Sequence, residues 1–115
     1  MTFPVFIVSL DFELHWGGFE KWPVEKYRQY FVNTRRVVPL LLDLFCKYEV
    51  HGTWATVGML YHDGLDSLIR STPTLKPTYV NQHLSPYPFI KNNVLKTEAE
   101  DPLHFAFSLD RKSVV

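Results

Sequence analysis

The sequence predicts an α/β chain, the opening of a partial (β/α) barrel: two βα units followed by a long proline-rich loop. Three observations predict it. Phe3 to Leu10 is a short, nearly continuous run rich in Val, Ile and Phe that ends in acidic residues. His51 to Val57 is a second apolar run, closed by Gly58. Between them Val37, Leu41, Leu44, Phe45 and Tyr48 recur at helical spacing.

The first run reads as a strand buried on both faces, the pattern of a parallel sheet. Its acidic end falls where parallel α/β folds build sites, at the carboxyl end of a strand. His15 to Pro23, with Gly17, Gly18 and three large aromatics, reads as a loop. The helix is expected over Asn33 to Tyr48, with Asn33 or Thr34 as cap and Pro39 as a kink or first-turn residue. After the second strand, Met59 to Ile69 reads as a second helix, weakened by Asp63 and Gly64.

From Ser71 to Pro102 the character changes. Five of the eight prolines lie there, and the stretch reads as a long irregular segment. Tyr79, Tyr87 and Phe89 favour an ordered loop over a disordered one. The chain is therefore expected to hold one incomplete domain over residues 1–115. Residues 1–70 form its βαβα start, 71–105 an irregular insertion and 106–115 a tail. Two parallel strands do not close a core, and a (β/α) barrel needs about 200 residues or more.

Composition narrows the function classes. The apolar fraction of 46% and charged fraction of 21% are those of a globular protein. Twelve basic and twelve acidic residues give a net charge of zero, without a long block of one sign. Nucleic-acid and anionic-membrane partners need a concentrated positive patch and are not expected. The single cysteine, Cys46, reads as a buried inert thiol on the apolar side of the helix. The N-terminus lacks a basic leader and a small-residue cleavage site, and no apolar run reaches the ~18 residues that span a bilayer. A cytoplasmic location is the default expectation.

Asp11 and Glu13 stand two apart at the end of the first strand. If the extended conformation continues through residue 13, both carboxylates face the same way. Two such acids repel, so the pair suits a metal site or an acid/base site where a cation or a shared proton neutralises it. A strand that simply ends in solvated acids has the same spacing, and spacing alone leaves both readings open. The histidines, at 15, 51, 62, 83 and 104, make no i,i+4 pair or other tight ligand spacing. His15 is the best placed, yet a backbone hydrogen bond is its plainer role. His51 and His62 read as surface or structural, and His83 and His104, in the irregular stretch, carry no signal of their own. Trp16, beside the acids, could stack on a sugar ring; Trp54, within a strand, reads as core. Glycine-rich phosphate loops, the Gly-x-Ser-x-Gly elbow and Cys-x-x-Cys are missing from the sequence, so phosphoryl transfer, serine-hydrolase and dithiol chemistry have no support.

Three segments in order resemble the polysaccharide deacetylase family (NodB homology, carbohydrate esterase family 4-like). Val8-Ser-Leu-Asp-Phe-Glu13 is similar to its first motif, in an Asp-x-Asp/Glu variant. Pro39-Leu-Leu-Leu-Asp-Leu-Phe-Cys-Lys-Tyr48 is similar to its first helix, and His51-Gly-Thr-Trp-Ala-Thr-Val-Gly58 to its second strand. The likeness covers roughly residues 3 to 60. The segments Leu84-Ser-Pro-Tyr87 and Glu100-Asp-Pro-Leu-His104 are similar to an insertion found in capsule- and surface-polysaccharide branches.

The resemblance implies a distorted seven-stranded (β/α) barrel and metal-dependent hydrolysis of N-acetyl groups on a polysaccharide or amino-sugar substrate. In that chemistry a divalent metal, most often zinc, binds the attacking water and polarises the carbonyl. Asp11 would be the general base, Glu13 a metal ligand and Trp16 a substrate-binding residue. The departures matter equally. The sequence has no His-x-x-x-His pair, and the family's later arginine and acid histidine are missing too. The expectation is a truncated, inactive deacetylase that does not hold metal tightly and self-associates through an open sheet edge. The alternative is a small non-catalytic module binding a partner or a glycan. An unrelated (β/α) hydrolase opening explains the match from Thr53 to Gly58 less well.

Overall fold

The computed structural model describes residues 2–109. Two parallel strands, β1 (Val8–Phe12) and β2 (Gly52–Thr56), form an open two-stranded sheet. The long helix α1 (Val24–Lys47) connects them, and α2 (Leu65–Ser71) and α3 (Pro86–Asn93) follow β2. Short 3₁₀ turns lie at Leu14–Gly18, Gly58–Tyr61 and Gln82–Leu84. The α/β order is the one expected, with each strand followed by a helix.

The strands alternate in burial, which corrects the expectation of burial on both faces. Register pairs Leu10 with Trp54 and Phe12 with Thr56 on the inner face, and Ser9 with Thr53 and Asp11 with Ala55 on the outer. One face packs on α1: the Phe45 ring closes on Gly52 and lies 6.4 Å from that of Trp54. The other face has nothing over it among the described residues. β1 also begins later than expected, because β2 offers only five residues to pair with. Phe3, Val5, Phe6 and Ile7 precede it and are exposed.

The helix runs nine residues further back than Asn33. It starts directly after Pro23, whose fixed φ suits a helix entry, and Glu25 lies in the first turn. Asn33 and Thr34 are interior positions; Thr34 Oγ1 donates to the Tyr30 carbonyl. Pro39 also sits inside the helix. The core stripe is Val24, Tyr27, Phe31, Val38 and Leu42, while Val37, Leu44 and Tyr48 are exposed. Cys46 shares that outer side and is exposed, so the buried-thiol reading is corrected.

The helix ends in a Schellman arrangement. Glu49 adopts φ 53°, its N–H donates to the Cys46 carbonyl, and the Val50 N–H donates to the Phe45 carbonyl. The expected second helix is split. Gly64 meets residues 96–97 as an antiparallel bridge so close that a Cβ there would strike the Lys96 carbonyl. The stretch expected to be irregular contains α3, whose Pro86 and Pro88 fall in the first turn, where no N–H is needed.

The tightest packing is not under the sheet. Leu60, Leu103 and Phe105 are the most deeply buried apolar side chains, and Phe31 joins them. Segment 101–109 therefore contributes much of the core, although residues 110–115 of the expected tail lie outside the described residues. Arg35 of α1 fastens it, donating to the carbonyls of Pro102 and Phe105 and to Glu98 at 2.7 Å. The radius of gyration is 16.3 Å, against roughly 13 Å for a compact domain of this length. No helix among the described residues is long and apolar enough to cross a membrane.

Candidate functional site

Asp11 and Glu13 flank buried Phe12, and both are exposed. Asp11 lies on the sheet face turned away from α1. At Glu13 the backbone leaves the extended region (φ −127°, ψ −28°), and Leu14 takes φ 48°. That left-handed conformation costs a non-glycine residue about 1–2 kcal/mol. The Leu14 side chain is buried, so core packing holds it there. The Glu13 carboxylate then folds back against Gly17, where a Cβ would collide with it. Among the described residues neither carboxylate makes a hydrogen bond or an ion pair.

These residues do not fit a metal centre. Among the described residues no group of three His, Cys, Asp or Glu side chains could hold an ion. His15, the nearest histidine in sequence, is buried with both ring nitrogens engaged. A cavity of about 150 Å³ opens near the strand ends, lined by Phe12, Val38, Leu42, Trp54 and Leu60 among others. Its lining is largely apolar and includes neither acid.

A different constellation is assembled in the interior. Asp101, His104 and His15 stand in a row, each almost fully buried. The Asp101 carboxylate faces His104 Nδ1 with both oxygens at 2.8 Å. His104 Nε2 lies 2.7 Å from His15 Nδ1, and His15 Nε2 lies 2.7 Å from the Trp22 carbonyl. Asp101 also accepts the backbone N–H groups of Leu95, Leu103 and His104. The Trp16 indole N–H donates to the His104 carbonyl at 3.0 Å. Rings of Phe31 and Phe89 pack against His15.

The electrostatics follow from burial and partners. Burial alone would raise the Asp101 carboxyl, but the His104 ring and the N–H groups of Leu95 and Leu103 outweigh it and hold the group below its ordinary value. Burial lowers the His15 pKa; the neighbouring His104 adds to this, and the Trp22 carbonyl only partly opposes it.

Trp16 is buried, with its ring against Phe19, Phe89 and His104, so it presents no open face for a sugar. Trp22 is the most exposed of the three tryptophans. His15 does bond to backbone, as expected, but His104 is more than a lone structural histidine. The one local signal was Asp101-Pro102, a turn-forming pair that sets Asp101 and His104 three apart. No protein-family model, no curated protein and no solved structure matches this chain.

Proposed function

We propose that the chain is a polysaccharide deacetylase-like α/β unit that does not hydrolyse N-acetyl groups by itself. One observation carries the reading. Asp11 lies near the carboxyl end of a parallel strand, on the sheet face opposite the connecting helix. In a (β/α) barrel that face lines the interior, and active sites are built at that end of the strands. The motif likenesses at residues 8–13, 39–48 and 51–58 supply the family and the substrate class, N-acetylated amino sugars. By the same likeness Asp11 is the base position and Glu13 one ligand of an incomplete set.

Inactivity follows from the donor set, since two exposed carboxylates and no His-x-x-x-His pair are too few for tight zinc binding. The test is release of acetate from chitin oligomers by the purified chain in the presence of zinc, beside a calorimetric zinc titration. Neither acetate nor stoichiometric zinc binding is expected, and either one would contradict the reading.

A second reading, a partner-binding module, is favoured by the open sheet and the exposed apolar run at Val5, Phe6 and Ile7. A concentration-dependent sedimentation coefficient would support self-association through that edge, whereas a monomer at all concentrations would count against it.

A further inference from the structure

The row of hydrogen bonds from Asp101 to the Trp22 carbonyl fixes a proton count. The Asp101 oxygens and the Trp22 carbonyl oxygen only accept. The ring nitrogens facing them, His104 Nδ1 and His15 Nε2, must therefore each carry a hydrogen. That uses the single hydrogen of a neutral imidazole on each ring. The remaining contact, His15 Nδ1 to His104 Nε2 at 2.7 Å, would then set two lone pairs face to face in a buried site. A third hydrogen between them turns repulsion into a bond.

We propose that this cluster is a buried proton-binding site: His104 holds the third hydrogen as an imidazolium against the Asp101 carboxylate, and so locks the 95–106 segment onto the turn after β1. His104 is the charged ring because it alone touches the carboxylate, where opposite charges attract most strongly. His15 remains neutral and accepts at Nδ1. The rings of Phe31 and Phe89 packed against His15 offer a charge on it no partner.

The surrounding groups leave the carboxylate as the counter-ion. Around His104 stand Asp101, His15, Trp16 and Phe89, the last from α3. Arg35 of α1 reaches the same segment but ends on the Pro102 and Phe105 carbonyls and on Glu98. Glu20 acts on His15 from the solvent side. A zinc ion does not fit in place of the proton. Zinc–nitrogen bonds of about 2.0–2.1 Å at a tetrahedral angle would set the two nitrogens roughly 3.3 Å apart, wider than the contact observed. The lock reaches the backbone, because the Trp16 indole and the His15 N–H both donate to carbonyls of the held segment, at His104 and Leu103.

The test is nitrogen NMR of the 115-residue chain labelled in its histidine rings, recorded at neutral pH. His104 is expected to show both nitrogens protonated and His15 only Nε2. Asp101→Asn removes the counter-charge and is expected to return His104 to a neutral ring. Exchange of the Trp16 indole hydrogen should then quicken by roughly ten- to a hundredfold, the loss of one charge-assisted bond. Two neutral rings in the unaltered chain would overturn the proposal whatever the variant does. So would zinc added to the unaltered chain shifting both ring signals at stoichiometric concentration.

Discussion

His15 Nδ1 and His104 Nε2 lie 2.7 Å apart in the interior, joining residues 89 positions apart in the chain. That contact closes the Leu14–Gly18 turn onto segment 101–106, and with Arg35 it makes the last described residues part of the core. Asp11 of β1 and Glu13, which precedes the turn, are exposed, and their carboxylates take no part in that contact.

Acid should destabilise the chain through three groups. Asp101 and Glu98 lie below their ordinary values in the folded state, because hydrogen bonds from His104, Ser108 and Arg35 overcome the opposing effect of burial. His15 is lowered as well, chiefly by burial. In each case the folded chain binds fewer protons than the unfolded one just below the ordinary pKa. The stabilisation is therefore complete above that value and is lost as pH falls through the folded one. Urea midpoints should fall as pH drops below about 6.5 and fall further below about 4. A midpoint flat across that range would contradict the assignment.

Arg35→Met should cost about 2–4 kcal/mol, the loss of a mostly buried ion pair and of two donors to carbonyls. Its partner Glu98 would keep Ser108 but lose its counter-charge. Chemical denaturation measures the change. Proteolysis should begin after residue 94 in the variant, since the segment beyond it is what the guanidinium holds.

Gly64→Ala should destabilise by about 1–3 kcal/mol through overpacking. Residue 64 has an extended backbone that any residue can adopt, so the cost arises only from the Lys96 carbonyl beside it. Thermal unfolding of the variant beside Gly58→Ala, whose added methyl meets open space, separates crowding from a general glycine effect.

Glu49→Gly should stabilise the chain by about 0.5–1 kcal/mol. The left-handed position of a Schellman motif suits glycine, and the strain released exceeds the added freedom of the unfolded chain. A raised denaturation midpoint with unchanged slope is the expected reading.

The parts legible in the sequence were those with a local cause. Val8 to Phe12 and Gly52 to Thr56 carry enough β-branched and aromatic residues to mark strands, and Gly58 marks the stop. The extent of β1 was not legible, because Phe3 to Ile7 are as apolar as the strand and only the length of β2 decides where pairing starts. The helix face was read partly one residue off: Val37 and Leu41 each sit about 100° around from the core positions Val38 and Leu42 and Leu44 lies further round, whereas Phe45 does face the sheet. Pro86 and Pro88 hid a helix whose first turn they suit. Asp11 and Glu13 stand out as candidates by their spacing and by the resemblance. Asp101, His104 and His15 could not, because only tertiary packing brings them together.

The most direct measurement grafts residues 3–60 of this chain in place of the corresponding opening of an active polysaccharide deacetylase and assays acetate release with zinc. The graft is expected to be active with Asp11 and to lose at least about a hundredfold with Asp11→Asn, the scale of a lost general base. A folded graft in which Asp11→Asn is as active as its parent would contradict the deacetylase-like reading.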